Sequence, residues 1–136
     1  MKKVNHTREA IRKDILALQE AVSEQQQYAG EVTHHFAPGL YGRELFIQAG
    51  SLIVGKLHRH SHLISLIEGE CTISSEFGKE TIQAPKVWLS EAGIKRAIYA
   101  HTDCRIVTYH PTESNNLEEI EAEVICPDYD KLLEDL

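Results

Sequence analysis

Residues 56–66 read KLHRHSHLISL, with histidines at alternate positions and apolar residues at the same parity behind them: His58, His60, His62, Ile64 and Leu66. Because side chains alternate between the two faces of a strand, an extended chain would project all five from one face. Imidazoles that enter an apolar interior need a metal ion, an anion or a hydrogen-bond network as partner. The stretch therefore predicts a strand whose inner face carries a histidine site. A solvated surface turn is the alternative interpretation.

Short segments rich in β-branched and aromatic residues surround this stretch, separated by turns that contain Gly, Pro or Asp. They are residues 44–47, 52–54, 63–67, 72–74, 81–83, 87–89, 97–99 and 105–109. Strands at that spacing, with no helix of useful length between them, are typical of an all-β sandwich or barrel and exclude a parallel βαβ sheet. We therefore expect a single jelly-roll barrel over residues 31–111.

Helical segments flank the predicted barrel within the same domain. Residues 1–30 contain one apolar helical stripe, formed by Ile11, Ile15, Leu18 and Val22. Residues 112–136 are acidic and combine irregular chain with a short helix, predicted from the spacing of Leu117, Ile120 and Val124. Since sheet edges and apolar stripes need to be covered, we expect these segments to wrap the barrel or to form a homodimer or higher homo-oligomer.

Composition narrows the class of protein. The chain has 136 residues and a formal net charge of −7, which argues against a nucleic-acid polymer as partner. No stretch is long and apolar enough for a membrane span or a signal peptide. The three cysteines, Cys71, Cys104 and Cys126, are widely spaced and indicate buried thiols in a reducing compartment. A cytoplasmic protein with no membrane partner is predicted.

Two stretches resemble the motifs of the cupins, which are small jelly-roll barrels. Residues 62–70, HLISLIEGE, resemble the end of the first cupin motif, and residues 84–96 resemble the second. The whole chain is similar to short cupin-like proteins of tailed bacteriophages, which carry similar HHFAPG, GK.H.H and KR..YAH stretches. The resemblance implies a barrel with a ligand or metal pocket and, for a phage-encoded protein, the host cytoplasm as its location.

The resemblance also implies a metal set of two histidines, a glutamate and a later histidine. When the chain is aligned on Gly69, these four positions hold Lys56, His58, His62 and Arg96. A protonated lysine or arginine has no lone pair to donate, so the usual cupin metal cage is incomplete.

A histidine-only site is one way to restore metal binding. It would use His58, His60 and His62, with His101 or His110 from a later strand as a further ligand. A divalent Zn, Fe, Ni or Mn ion tolerates such a site. This hypothesis predicts a metal-dependent oxygenase, isomerase or lyase.

The same cationic residues favour an anionic ligand. Arg43, Lys56 and Arg96 would make the mouth of the barrel positive, while Tyr41, Trp88 and Tyr99 could stack on a planar ring. The prediction ranked first is a binding module for a phosphate- or carboxylate-bearing small molecule, such as a nucleotide-like host signal. The metal-dependent enzyme and a structural or virion-associated barrel are the alternatives.

Overall fold

A computed structural model describes residues 8–17 and 31–126. Within them the strands are β1 (Glu31–Ala37), β2 (Leu40–Ile47), β3 (Leu52–Val54), β4 (Leu57–His58), β5 (His62–Glu68), β6 (Glu70–Ser75), β7 (Gly78–Gln83), β8 (Lys86–Ser90), β9 (Ala97–Ala100), β10 (Cys104–Pro111) and β11 (Ile125–Cys126). Helix α1 covers residues 8–17 and helix α2 spans Leu117–Val124. Each of the eight segments rich in β-branched and aromatic residues lies within one of these strands.

The strands form two antiparallel sheets and a small ribbon. The larger sheet has the order β1-β2-β10-β5-β8, the smaller sheet has the order β3-β9-β6-β7, and β4 pairs with β11 in the ribbon. The sheets pack face to face, because the buried core joins Ile47, Leu66 and Ile106 of the larger sheet to Cys71 and Ala100 of the smaller one. The predicted all-β jelly-roll barrel, with one helix before it and one after it along the chain, is confirmed.

Side-chain parity in β5 agrees with the prediction. Ile64 and Leu66 are 8% and 0% exposed and belong to the core between the sheets. Leu63, which precedes Ile64, is 50% exposed on the outer face. Strand β5 therefore points its even-numbered residues inward, and this places His62 on the inner face as well.

The turn between β5 and β6 packs tightly against the start of β10. Gly69 has a φ of 94°, and a Cβ atom there would collide with the carbonyl oxygen of Asp103. Only glycine adopts this positive φ readily and also lacks the Cβ atom that would collide. Beneath the turn, Cys71 and Cys104 are free thiols buried from solvent, as predicted.

The described part of α1 packs on its own barrel. Ile15 is 5% exposed, and Arg12 Nη2 donates to Glu76 Oε2 at 2.6 Å, beside the turn between β6 and β7. The Arg8 guanidinium lies 4.1 Å from the centre of the Phe77 ring. Leu18, Val22 and the chain after residue 126 lie outside the described residues. Among the described helices, none has the length and apolarity needed to cross a bilayer.

Candidate metal centre and pocket

Four buried polar residues form one row across the inner face of the larger sheet. Tyr41 of β2 pairs with His110 of β10, and His62 of β5 pairs with Ser90 of β8. The pairing of Tyr109 with Leu63 brings His110 next to His62. We call Tyr41, His110, His62 and Ser90 the polar row. Each of its members is at most 5% exposed, so their polar atoms need partners inside the protein or in its pocket.

His58 of β4 lies against this row and completes a cluster of three imidazoles. The ring centres of His58 and His62 are 4.3 Å apart, and those of His62 and His110 are 4.7 Å apart. His58 and His110 are nearly parallel, with centres 5.4 Å apart. One ring nitrogen from each residue lies within 4.8 Å of the others. These three histidines could form a metal site.

Hydrogen bonds orient two of the rings. His62 Nδ1 lies 3.3 Å from the carbonyl oxygen of His60 and donates to it, which assigns the lone pair to Nε2. His110 Nε2 lies 2.9 Å from Thr108 Oγ1 and so leaves Nδ1 as the second nitrogen. Proteins commonly orient a metal-ligating histidine by a hydrogen bond that its other ring N–H donates. His62 Nε2 is itself buried and has no hydrogen-bond partner among the described residues.

The pocket keeps the three imidazoles neutral. Burial lowers the pKa of His58 to about 3, with smaller contributions from His62, His110 and two arginines. Burial, together with His62 and Arg43, lowers the pKa of His110 to about 4. The pKa of His62 is also lowered, chiefly by burial. Neutral imidazole is the form that coordinates a metal, so the cluster retains its lone pairs at pH 7.

The donor set fits a divalent transition metal. Nitrogen ligands of a tetrahedral zinc ion lie about 2.0–2.1 Å from it and hence about 3.4 Å from one another. The nitrogens lie up to 4.8 Å apart, so the most widely separated pair would approach by up to about 1.4 Å around an ion. Three protein ligands leave room for water or substrate in a further position, which is the arrangement of catalytic rather than structural sites.

The histidine cluster opens into a pocket of about 550 Å³ between the two sheets. Most of the lining is apolar and includes Leu45, Ile53, Ile64, Trp88 and Ile106. A pocket of this size, with apolar walls and a few polar groups, is typical of a small-molecule site.

Three cations line the same pocket. Arg96 is half-buried, burial lowers its pKa, and it donates to the carbonyl oxygen of Ile94 at the long distance of 3.5 Å. Arg43 is more exposed, and Lys56 Nζ donates to Glu121 Oε1 at 2.7 Å. Arg96 is therefore the cation best placed to meet an anion inside the pocket.

Helix α2 closes one side of the pocket, which the sequence analysis did not predict. Its Leu117, Ile120, Glu121 and Val124 line the cavity. Asn116 caps the helix by accepting from Glu119 N, and the Arg59 amide donates to the Val124 carbonyl at 2.7 Å. The acidic C-terminal segment therefore contributes a wall of the candidate site.

The histidines of residues 58–62 do not share one continuous strand, and that expectation is wrong. β4 ends at His58, the chain bends over residues 59–61, and β5 begins at His62. The bend leaves His60 exposed and outside the cluster. The third imidazole comes instead from His110, which the sequence analysis named beside His101.

Two other candidate residues lie away from the pocket. His101 is exposed at the end of β9, and its Nε2 lies 2.6 Å from Thr72 Oγ1. Tyr99 packs edge-on against His101, and both line a separate cleft beside α1. The pocket thus contains His58, His62, Arg43, Lys56, Arg96 and Trp88 from the sequence-based set, and omits His60, His101 and Tyr99.

Solved structures of cupin-domain proteins have a similar fold. Ectoine synthase from P. lautus is 18% identical, covers 68% of this chain and 70% of its own, and has a TM-score of 0.55. A cupin-2 domain protein from Shewanella frigidimarina is 14% identical, with 70% and 92% covered and a TM-score of 0.50. A salicylate 1,2-dioxygenase from Pseudaminobacter salicylatoxidans is 10% identical, with 85% and 35% covered and a TM-score of 0.58.

These similarities show a cupin-like fold, in agreement with the motif resemblance, and enzymes are among the proteins that share it. No protein-family model and no curated protein sequence matches the chain.

Proposed function

We propose that this protein is a metal-dependent enzyme that acts on an anionic small molecule. The observation that carries the proposal is the cluster of three neutral imidazoles, His58, His62 and His110, at the end of an apolar pocket. Zn, Fe, Ni and Mn all suit this donor set, and such an ion supplies Lewis-acid or redox chemistry to a bound substrate.

The pocket supports an anionic substrate with an apolar body. The Arg96 guanidinium offers a planar, bidentate fork for a carboxylate or phosphate group, and its half-burial strengthens such a contact. Trp88 and the aliphatic lining favour an apolar or planar remainder. The salicylate dioxygenase among the structural neighbours takes its name from an aromatic carboxylate, which makes compounds of that class the first to test.

Metal analysis of the tag-free protein tests the proposal. We expect about one transition-metal ion per chain in the wild type and almost none in His58→Ala, His62→Ala or His110→Ala. His60→Ala and His101→Ala are matched controls, because these histidines lie outside the cluster, and both variants should keep the metal. A metal content that these five substitutions leave equal, or a wild type that binds no added ion, would contradict the proposal.

Metal-free capture of an anion is the second candidate function. It is favoured by the three cations that line the pocket, Arg43, Lys56 and Arg96. In a phage-encoded protein this function would suit the capture of a nucleotide-like signal in the host cytoplasm. Mass spectrometry of small molecules released on denaturation, with and without prior treatment with a chelator, separates the two candidates, since only the enzyme depends on the metal.

We also propose that the chain forms a homo-oligomer. Leu63, Val87 and Leu89 are 50–64% exposed and adjoin one another on the outer face of β5 and edge strand β8. A contiguous apolar patch beside an open edge is the kind of surface that a second subunit covers. Light scattering after Leu89→Lys should then show a smaller particle than for the wild type, and an unchanged mass would contradict the proposal.

A further inference from the structure

Two buried polar atoms of the polar row lack a hydrogen-bond partner among the described residues. Ser90 Oγ and His62 Nε2 are both buried, and neither has a hydrogen-bond partner among the described residues. Ser90 is 0% exposed. An unpartnered buried hydroxyl is uncommon in a native protein, because burial removes the hydrogen bonds to water without replacing them.

The two atoms face the same space. Ser90 and His62 are directly paired across the antiparallel strands β8 and β5. Side chains of such a pair point to the same face, with Cβ atoms about 4.5–5.5 Å apart. Both residues line the pocket beside the histidine cluster. The Ser90 hydroxyl therefore faces the pocket, where a bound molecule could form a hydrogen bond with it.

We propose that Ser90 is a positioning residue whose hydroxyl hydrogen-bonds the exchangeable ligand of the metal centre. This inference rests on the proposed metal site at His58, His62 and His110. A hydroxyl both donates and accepts, so Ser90 can hold a water molecule in the resting protein and an anionic oxygen of the substrate during the reaction. The missing partner of Ser90 is then the ligand itself.

The opposite face of β5 provides a matched control. Ser65 is 8% exposed, lies on the outer side of the sheet and is not among the residues that line the pocket. Ser65→Ala removes the same hydroxyl from a similarly buried strand position, whereas Ser90→Ala removes it from the pocket.

Azide binding to the Co²⁺-loaded protein tests the proposal without a known substrate. The visible spectrum of Co²⁺ reports both metal stoichiometry and azide affinity. We expect Ser90→Ala to bind Co²⁺ with unchanged stoichiometry and azide roughly tenfold more weakly, the loss typical of a hydrogen bond to a charged group. Ser65→Ala should match the wild type in both measurements.

Thermal unfolding of the metal-free protein provides a second readout. Because Ser90 Oγ has no hydrogen-bond partner among the described residues, Ser90→Ala should leave the melting temperature unchanged or raise it. A lowered melting temperature would indicate a purely structural hydrogen bond and overturn the proposal.

The outcomes separate this inference from the proposed function. If the wild type binds no Co²⁺, the proposed function fails and the role of Ser90 falls with it. If Co²⁺ binds normally to Ser90→Ala and azide affinity is unchanged, only the role of Ser90 is overturned.

Discussion

The inner face of the larger sheet carries two rows with opposite chemistry on the same strands. The polar row crosses β2, β10, β5 and β8 at Tyr41, His110, His62 and Ser90. Deeper in the barrel, an apolar row crosses β2, β10 and β5 at Leu45, Ile106 and Leu66. Both rows lie on the same face of the sheet. The apolar side chains need only packing contacts, whereas the polar side chains also need hydrogen-bond partners. The polar row leaves two atoms, His62 Nε2 and Ser90 Oγ, without a hydrogen-bond partner among the described residues.

The largest expected effect comes from the apolar row. Leu66 is fully buried in the core, so Leu66→Ala should lower the free energy of unfolding by about 2–5 kcal/mol. His62→Ala in metal-free protein should lower the free energy of unfolding less, because His62 lines a cavity and loses only the hydrogen bond from Nδ1 to the His60 carbonyl, while its Nε2 has no partner among the described residues. Urea unfolding of the two variants measures the difference. Equal losses would mean that the polar row is packed like the core.

Acid should destabilise the metal-free protein through the polar row. The folded pKa values of His58 and His110 are about 3 and 4, below the unfolded value near 6.5. Above pH 6.5 the two imidazoles are mostly neutral in both the folded and the unfolded state. Below pH 6.5 they become protonated in the unfolded state but stay neutral in the folded state. Stability should therefore fall as the pH drops from 6.5 toward 4, by on the order of 3 kcal/mol for each of the two imidazoles.

A difference measurement isolates this contribution from that of the carboxylates. Urea unfolding at pH 7 and pH 4.5 should show a smaller loss for the double variant His58→Asn, His110→Asn than for the wild type. Saturating Zn²⁺ should stabilise the wild type at pH 7, since an ion that binds only the folded state favours it. An identical pH dependence in the double variant would show that folding does not lower the pKa of these two imidazoles.

Removal of the half-buried cation should weaken anion binding. Trp88 is the only tryptophan in the chain and lines the pocket, so its fluorescence reports binding directly. With salicylate as probe, Arg96→Ala should cost about 1.5–3 kcal/mol of affinity, roughly ten- to a hundredfold. Arg105→Ala is the control, because Arg105 pairs with Glu44 and Glu68 and does not line the pocket. Unchanged salicylate affinity in Arg96→Ala would remove Arg96 from the site.

The smallest expected effect concerns the mouth of the pocket. Lys56 and Glu121 form an ion pair with side chains 63% and 58% exposed, a class that contributes less than about 1 kcal/mol. Glu121→Gln frees Lys56 and should tighten salicylate binding by a few-fold at low salt and not at high salt. Glu118→Gln, on the same helix but outside the lining, is the matched control. A salt-independent change would indicate a direct contact instead.

Much of the fold follows from local patterns. Segments rich in β-branched and aromatic residues between turn residues located eight of the strands, and the parity of Ile64 and Leu66 predicted the inner face of β5 correctly. The successive spacings of three and four residues between Leu117, Ile120 and Val124 predicted α2. These features depend on interactions within a few residues, and the sequence records them directly.

The composition of the site depended on more distant contacts. The prediction for His60 failed because a period of two holds only while the chain stays extended, and residues 59–61 bend. His110 joins the cluster only through the pairing of β10 with β2 and β5, from positions far along the chain. The lining by α2 and the unpartnered Ser90 hydroxyl likewise appear only after the elements pack.

Local patterns predicted the all-β barrel, the inward face of β5, and His58 and His62 as members of one histidine cluster. Strand pairing and sheet packing bring His110 to these two histidines, set which cations line their pocket, and position α2 along one side of it. The physical reason is that side-chain direction is a local property of strand geometry. The partners of a buried polar group are set by strand register and sheet packing, which bring distant parts of the chain together.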